Sequence, residues 1–128
     1  MEQLEVKLGI TYKEFEDTIV TALEGGSNYW YWLDEKDIPV TEAYPGLAPS
    51  ERIAKKVWEG GTVPVYNLEN QDEKLGDLSL EGIKKQFEES PDKEQMINAY
   101  MQCWAGNGDA GDADIFFQIA VMGEVTFG

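Results

Sequence analysis

Apolar and polar positions alternate at the start of the chain, where Leu4, Val6, Leu8 and Ile10 fall on one face, the period-two pattern of a half-buried strand. The period then changes. Thr11 and Glu14 have capping-box spacing, and Tyr12, Phe15, Ile19, Ala22 and Leu23 recur at helical intervals until Gly25 and Gly26 supply a stop. The aromatic run Tyr29 to Leu33 (YWYWL) follows and predicts a second strand, because large rings pack across a pleated surface. Alternation within it sends Tyr29 and Tyr31 to one face and Trp30 and Trp32 to the other, one pair for the core and one presented outward.

Residues 34 to 49 contain Pro39, Pro45, Gly46 and Pro49 and read as a connecting loop. Ser50 is placed to cap a short helix whose inward side is Ile53, Ala54, Val57 and Trp58, ended by Gly60 and Gly61. Thr62 to Leu68 predicts a third strand, at an edge because Pro64 cannot donate to a ladder. The polar stretch Glu69 to Lys74 then reads as a hairpin tip, with Leu75 to Leu80 returning as a fourth strand or leading into a helix marked by Leu80, Ile83 and Phe87. Ser90 and Pro91 restart another helix with the stripe Met96, Ile97, Tyr100, Met101 and Trp104. After a glycine-rich turn, Asp109 or Asp112 begins a last helix whose segment Ile115 to Met122 is apolar on nearly every side, as in a helix central to a core. Gly123 stops it, and Val125 to Phe127 has the composition of a final short strand.

These elements predict an α+β fold, a small, mainly antiparallel sheet packed against four or five helices. With 128 residues there is room for one domain, and 42 % apolar and 12 % aromatic residues are enough to fill its core. Charge changes the functional picture more than the structural one. Ten lysines and arginines face 25 aspartates and glutamates, a net charge of −15, which repels nucleic acid and anionic membrane surfaces and argues against direct binding to either. The longest apolar run, Ile115 to Met122, is far shorter than the roughly 20 residues that span a bilayer, and the first residues read as a charged strand and not a leader. The single cysteine, Cys103, fits a reducing cytoplasm and reads as a packed thiol.

No histidine is present, so Ser-His and Cys-His nucleophilic pairs are excluded. Among 25 acidic residues, finding two close together carries almost no information, so the chain reads as a non-enzyme that needs no cofactor. The segment Asn107 to Asp114 (NGDAGDAD) is rich in oxygen ligands but lacks the spacing of a calcium loop, and helix capping explains its acids better. Two features are left as candidate contacts for a partner: the rings of Tyr29, Trp30, Tyr31 and Trp32, which suit binding anchors, and the acids Asp109, Asp112 and Asp114 of a C-terminal region without lysine or arginine. The only dense cationic group is Arg52, Lys55 and Lys56, with Lys84 and Lys85 as a second, and these would hold the phosphates of an anionic small ligand.

Two segments, Thr21 to Leu33 (TALEGGSNYWYWL) and Asp112 to Gly128 (DADIFFQIAVMGEVTFG), resemble a family of short uncharacterised proteins encoded by phages, prophages and mobile elements of gut-type bacteria. These share an ALEGG-x-x-YW stretch and an acidic helix ending in phenylalanine or methionine, Gly-Glu and a short strand. The resemblance covers about a quarter of the chain and brings no activity with it. What it implies is a context, in which small accessory proteins bind and inhibit a host protein such as a nucleic-acid-handling defence enzyme in the host cytoplasm. The expectation is therefore a partner-binding, DNA-mimic-like protein with an acidic and aromatic surface. The alternatives are a sponge for a nucleotide signal, with YWYW stacking the base, and a structural or assembly role, which predicts a homo-oligomer.

Overall fold

In a computed structural model, which describes residues 10–104 and 109–128, a three-stranded antiparallel sheet lies against a layer of helices, the α+β arrangement that periodicity predicts. Helix α1 (Tyr12–Thr21) opens on the expected capping box, in which the Glu14 N–H donates to Thr11 Oγ1 at 3.3 Å and the Thr11 N–H to Glu14 Oε1 at 3.3 Å. It does not stop cleanly at Gly25 and Gly26. The chain widens into a π-turn over Ala22–Gly26, closed by the Ser27 N–H donating to the Ala22 carbonyl at 2.8 Å. The strand expected over residues 4 to 10 lies outside the described residues, apart from its last position, Ile10, which is buried.

The aromatic run is a turn before it is a strand. The Trp30 N–H donates to the Ser27 carbonyl at 3.1 Å, and only β1 (Tyr31–Trp32) is extended. A turn resets which way successive side chains point, so the alternation expected across residues 29 to 32 fails. Trp30 is sealed in the core at 2 % exposure, Tyr31 and Trp32 are half-buried, and Tyr29 stands out at 47 %. The loop that follows carries two 3₁₀ turns, Glu35–Asp37 and Thr41–Ala43.

Helix α2 (Pro49–Trp58) starts two residues earlier than expected, with Pro49 at its first position and Ala48 before it. Ser50 is thus inside the helix and does not cap it; the Glu51 carboxylate accepts from the Ala48 N–H at 2.7 Å. Ile53, Ala54 and Val57 are buried, and Trp58 packs its ring on Tyr12 and Phe15. Strand β2 (Val63–Asn67) is the middle strand, not an edge. Pro64 is tolerated there because β1 reaches only Tyr66 and Asn67, so nothing on that side needs the missing N–H. The hairpin turns at Leu68 and Glu69, and β3 (Asn70–Leu78) takes in both the polar stretch expected to be a tip and the strand expected to follow it. Irregular pairing around Tyr66 marks where the exposed half of β3 meets its buried half.

Helix α3 (Leu80–Glu89) buries Leu80, Ile83 and Phe87 as expected, and Ser79 caps it. Helix α4 (Lys93–Trp104) buries Met96, Ala99 and Tyr100, with Ile97 half-buried; Met101, expected in the same stripe, is 44 % exposed. Helix α5 (Ala110–Met122) is the centre of the core, with Phe116, Phe117 and Ile119 fully enclosed. Each such side chain contributes about 1.5–3 kcal/mol of transfer free energy. Gly123 ends α5 in the left-handed conformation, φ 84°. The residues after it are not a strand; Thr126 and Phe127 are held by a side chain of α5 instead. Glycine lets two elements reach α5 closely: a Cβ on Gly26 would lie 2.2 Å from the Ala110 carbonyl oxygen, and one on Gly76 2.1 Å from that of Val121. The buried apolar side chains form one continuous cluster. Among the described residues no helix is long and apolar enough to cross a membrane.

Candidate functional site

The residues singled out by sequence divide into an internal set and an external set. Asp114 belongs to the internal one. Its carboxylate is 8 % exposed and accepts four hydrogen bonds, from Ser27 Oγ and Trp30 Nε1 (both 2.7 Å) on Oδ1 and from Tyr29 OH (2.6 Å) and Gln118 Nε2 (3.1 Å) on Oδ2. Four donors replace the water a buried carboxylate loses. One turn along α5, Gln118 repeats the device for the C-terminal segment: its Oε1 accepts from the N–H groups of Thr126 and Phe127 at 2.8 Å each, and its Nε2 donates to the Phe127 carbonyl at 3.0 Å. The Phe127 ring, so placed, stacks on Trp30 with centroids 5.3 Å apart and planes 12° from parallel. Trp30 and Asp114 are therefore corrected from outward-facing contacts to a buried pair. The segments Thr21 to Leu33 and Asp112 to Gly128 meet at this network.

Asp109 and Asp112 do what the capping reading expects. The Asp112 N–H donates to Asp109 Oδ1 at 3.1 Å, and the Asp109 N–H to Asp112 Oδ2 at 3.3 Å, a reciprocal box at the start of α5. Asp114 turns inward, away from this pair, so the three acids do not share one surface.

The cations proposed for an anionic ligand are committed to the fold. Arg52 Nε donates to the Pro39 carbonyl and its Nη1 to that of Leu47, both at 2.7 Å. Lys56 Nζ donates to the Asp37 carbonyl at 3.0 Å, and Lys55 Nζ sits 4.8 Å above the Tyr12 ring and 3.9 Å from the Glu59 carboxylate. These three side chains clamp the 34–49 loop and the α1–α2 contact; they do not converge on a cradle. Lys84 stands apart, on a second hollow with Trp58, Thr62 and Glu81. Cys103 is half-buried, and burial first, then the nearby Asp112 charge, push its thiol pKa up, as for a packed and unreactive cysteine.

Sequence reasoning missed a hollow beside the aromatic run. Between the π-turn, β1 and α2 lies a cleft of about 460 Å³ walled by Leu23, Tyr31, Trp32, Leu33, Ile38 and Ile53, with Glu24, Asn28 and Ser50 as its polar members. Its parts are fixed from behind. Tyr31 OH donates to the Leu23 carbonyl at 2.6 Å while its ring packs edge-on to Phe117, and burial raises the phenol pKa to about 12. Trp32 leans edge-on against Tyr66, and the Ser50 hydroxyl donates to the Glu24 carboxylate. Comparison with family models, curated proteins and solved structures finds no match to this chain.

Proposed function

We propose that this chain is a non-enzymatic binding protein of the phage-accessory kind, which attaches to a basic surface of a host protein, such as a nucleic-acid-handling enzyme, and inhibits it. The observation that carries the reading is how the charges are used. Lys13, Lys36, Lys55 and Lys74 are spent beside Asp17, Asp34, Glu59 and Asp77, and Arg52, Lys56 and Lys93 on backbone carbonyls. Glu35, Glu42, Glu69, Asp72, Glu73, Glu81 and Glu94 meanwhile stand exposed. A partner therefore meets a negative field, which speeds encounter with a positive groove and opposes nucleic acid. Tyr29 and Trp32, outside the core, are the aromatic anchors of this reading, with Asp109 and Asp112 on its acidic side. The commitment of Arg52, Lys55 and Lys56 to internal acceptors weighs against the nucleotide sponge.

The test is capture from bacterial lysate on the immobilised chain at about 50 mM and about 500 mM salt, since screening shortens the reach of charge from about 14 to about 4 Å over that range. The expected result is a nucleic-acid-binding protein that is released by salt, displaced by duplex DNA, and slowed in its own assay by adding the chain. A partner held equally at both salt concentrations, or none, would overturn the proposal.

A further inference from the structure

We propose that the cleft between the π-turn Ala22–Gly26, β1 and α2 is a binding site for a small organic cation, a molecule with a flat apolar body and one ammonium group, independent of any protein partner. A volume of about 460 Å³ suits a single aromatic ring system with a short chain. The walls are apolar, and two of them are aromatic side chains held in place from behind, Tyr31 by its hydrogen bond to Leu23 and Trp32 by Tyr66. Such a site favours a rigid apolar body, because little freedom remains to be lost on the protein side.

The sign of the ligand's charge follows from the polar members. Glu24 is the only charged residue lining the cleft, and no lysine or arginine comes within ion-pair distance of it among the described residues. Its carboxylate is oriented by the Ser50 hydroxyl, which occupies one oxygen and leaves the other open. The Asn28 amide, also on the cleft, donates to the Glu24 carbonyl at 3.4 Å. The chain's one guanidinium, on Arg52, is occupied by two carbonyls of the 34–49 loop and lines an adjoining hollow that shares Ile38 and Pro49 with the cleft. An ammonium entering here meets the Glu24 carboxylate beside the rings of Tyr31 and Trp32, a combination that recognises cations through both charge and ring quadrupole. An anion of the same shape meets repulsion.

Isothermal titration with tryptamine and with indole-3-propionate separates body from charge, since the two share the indole and differ in the sign of the end group. Tryptamine is expected to bind at least about tenfold more tightly, the ratio that one charge-assisted contact supplies. Glu24→Gln should remove most of that preference while leaving the melting temperature within a degree or two, and Trp32→Ala should weaken tryptamine about tenfold. Equal affinity for amine and acid, no heat from either up to millimolar concentrations, or a preference that survives in Glu24→Gln would overturn the assignment. The comparison of the two ligands on the unaltered chain decides the matter even where a variant fails to fold. It also stands apart from the lysate experiment, since either can fail while the other succeeds.

Discussion

The indole N–H of Trp30 donates to the carboxylate of Asp114 at 2.7 Å across a separation of 84 residues, and both groups are shut away from solvent. One bond thus joins the turn after the first helix to the helix at the centre of the core. Asp114→Ala leaves the buried Ser27 hydroxyl and the Trp30 indole without an acceptor, at a cost of about 1–3 kcal/mol each. A total loss of about 3–4 kcal/mol is expected by urea denaturation. Asp114→Asn keeps one acceptor oxygen but turns an amide N–H₂ toward donors, and about 2 kcal/mol of loss is expected. An Asp114→Asn protein as stable as the parent would show that the network contributes little.

Adjacent glycines should behave oppositely. Gly26→Ala forces a methyl against the Ala110 backbone and should cost about 1–3 kcal/mol, whereas Gly25→Ala meets nothing within 4 Å and should be neutral or gain up to about 1 kcal/mol. Thermal melts of the two variants side by side give the comparison, and equal melting temperatures would contradict the close approach.

Tyr29 and Tyr31 are among the phenols that should titrate late. Burial raises Tyr29 to about 12, with the bond to Asp114 adding to it, and burial raises Tyr31 to about 12 as well. A native pKa above the unfolded value of about 10 means the folded state holds its proton more tightly. The stabilisation is therefore complete below about pH 10 and is lost as pH climbs toward 12. Absorbance at 295 nm should show phenolate from these tyrosines rising together with loss of near-ultraviolet circular dichroism. A completed tyrosine titration by pH 10.5 with the fold intact would refute this.

Cys103 should be slow. With its thiol pKa raised by burial and by Asp112, alkylation by iodoacetamide at pH 7.5 is expected to be slower than that of free cysteine, rising as pH is increased past the ordinary thiol value. Reaction as fast as that of the free amino acid would mean the thiol is open and unperturbed.

Tyr100 is 3 % exposed, and its hydroxyl has no hydrogen-bond partner among the described residues. Removing an unsatisfied buried group relieves its desolvation, so Tyr100→Phe is expected to be neutral or to stabilise by up to about 1 kcal/mol in urea denaturation. Destabilisation beyond about 1 kcal/mol would reveal a partner for that oxygen.

What the sequence makes legible follows from where information is local. The helices at Tyr12, Leu80, Lys93 and Ala110 show in the periodicity because each buries one stripe, or in α5 nearly every side, and the first, second and last of these carry side-chain caps next to their starts. The fate of Trp30 is not local. Its side chain is drawn inward by Asp114 and Phe127, and no alternation rule contains them. The one available signal was Asp114 with Gln118 four residues on: two polar side chains on one stripe of an otherwise apolar helix imply donors arriving from elsewhere. Pro64 misled for a related reason, since the length of β1, which decides whether the middle strand needs that N–H, is set by the Ser27 turn. The cleft was invisible because Leu23, Trp32 and Ile53 are brought together only by tertiary packing.

The clamps on the 34–49 segment have one further property. Arg52 and Lys56 grip it only through main-chain oxygens, those of Pro39, Leu47 and Asp37, so the hold is blind to which side chains the segment carries. Lineages can rewrite Glu35, Val40 or Glu42 at little cost to folding. Those exposed positions can change without disturbing the interior, whereas Ile38 in the same stretch packs against the core.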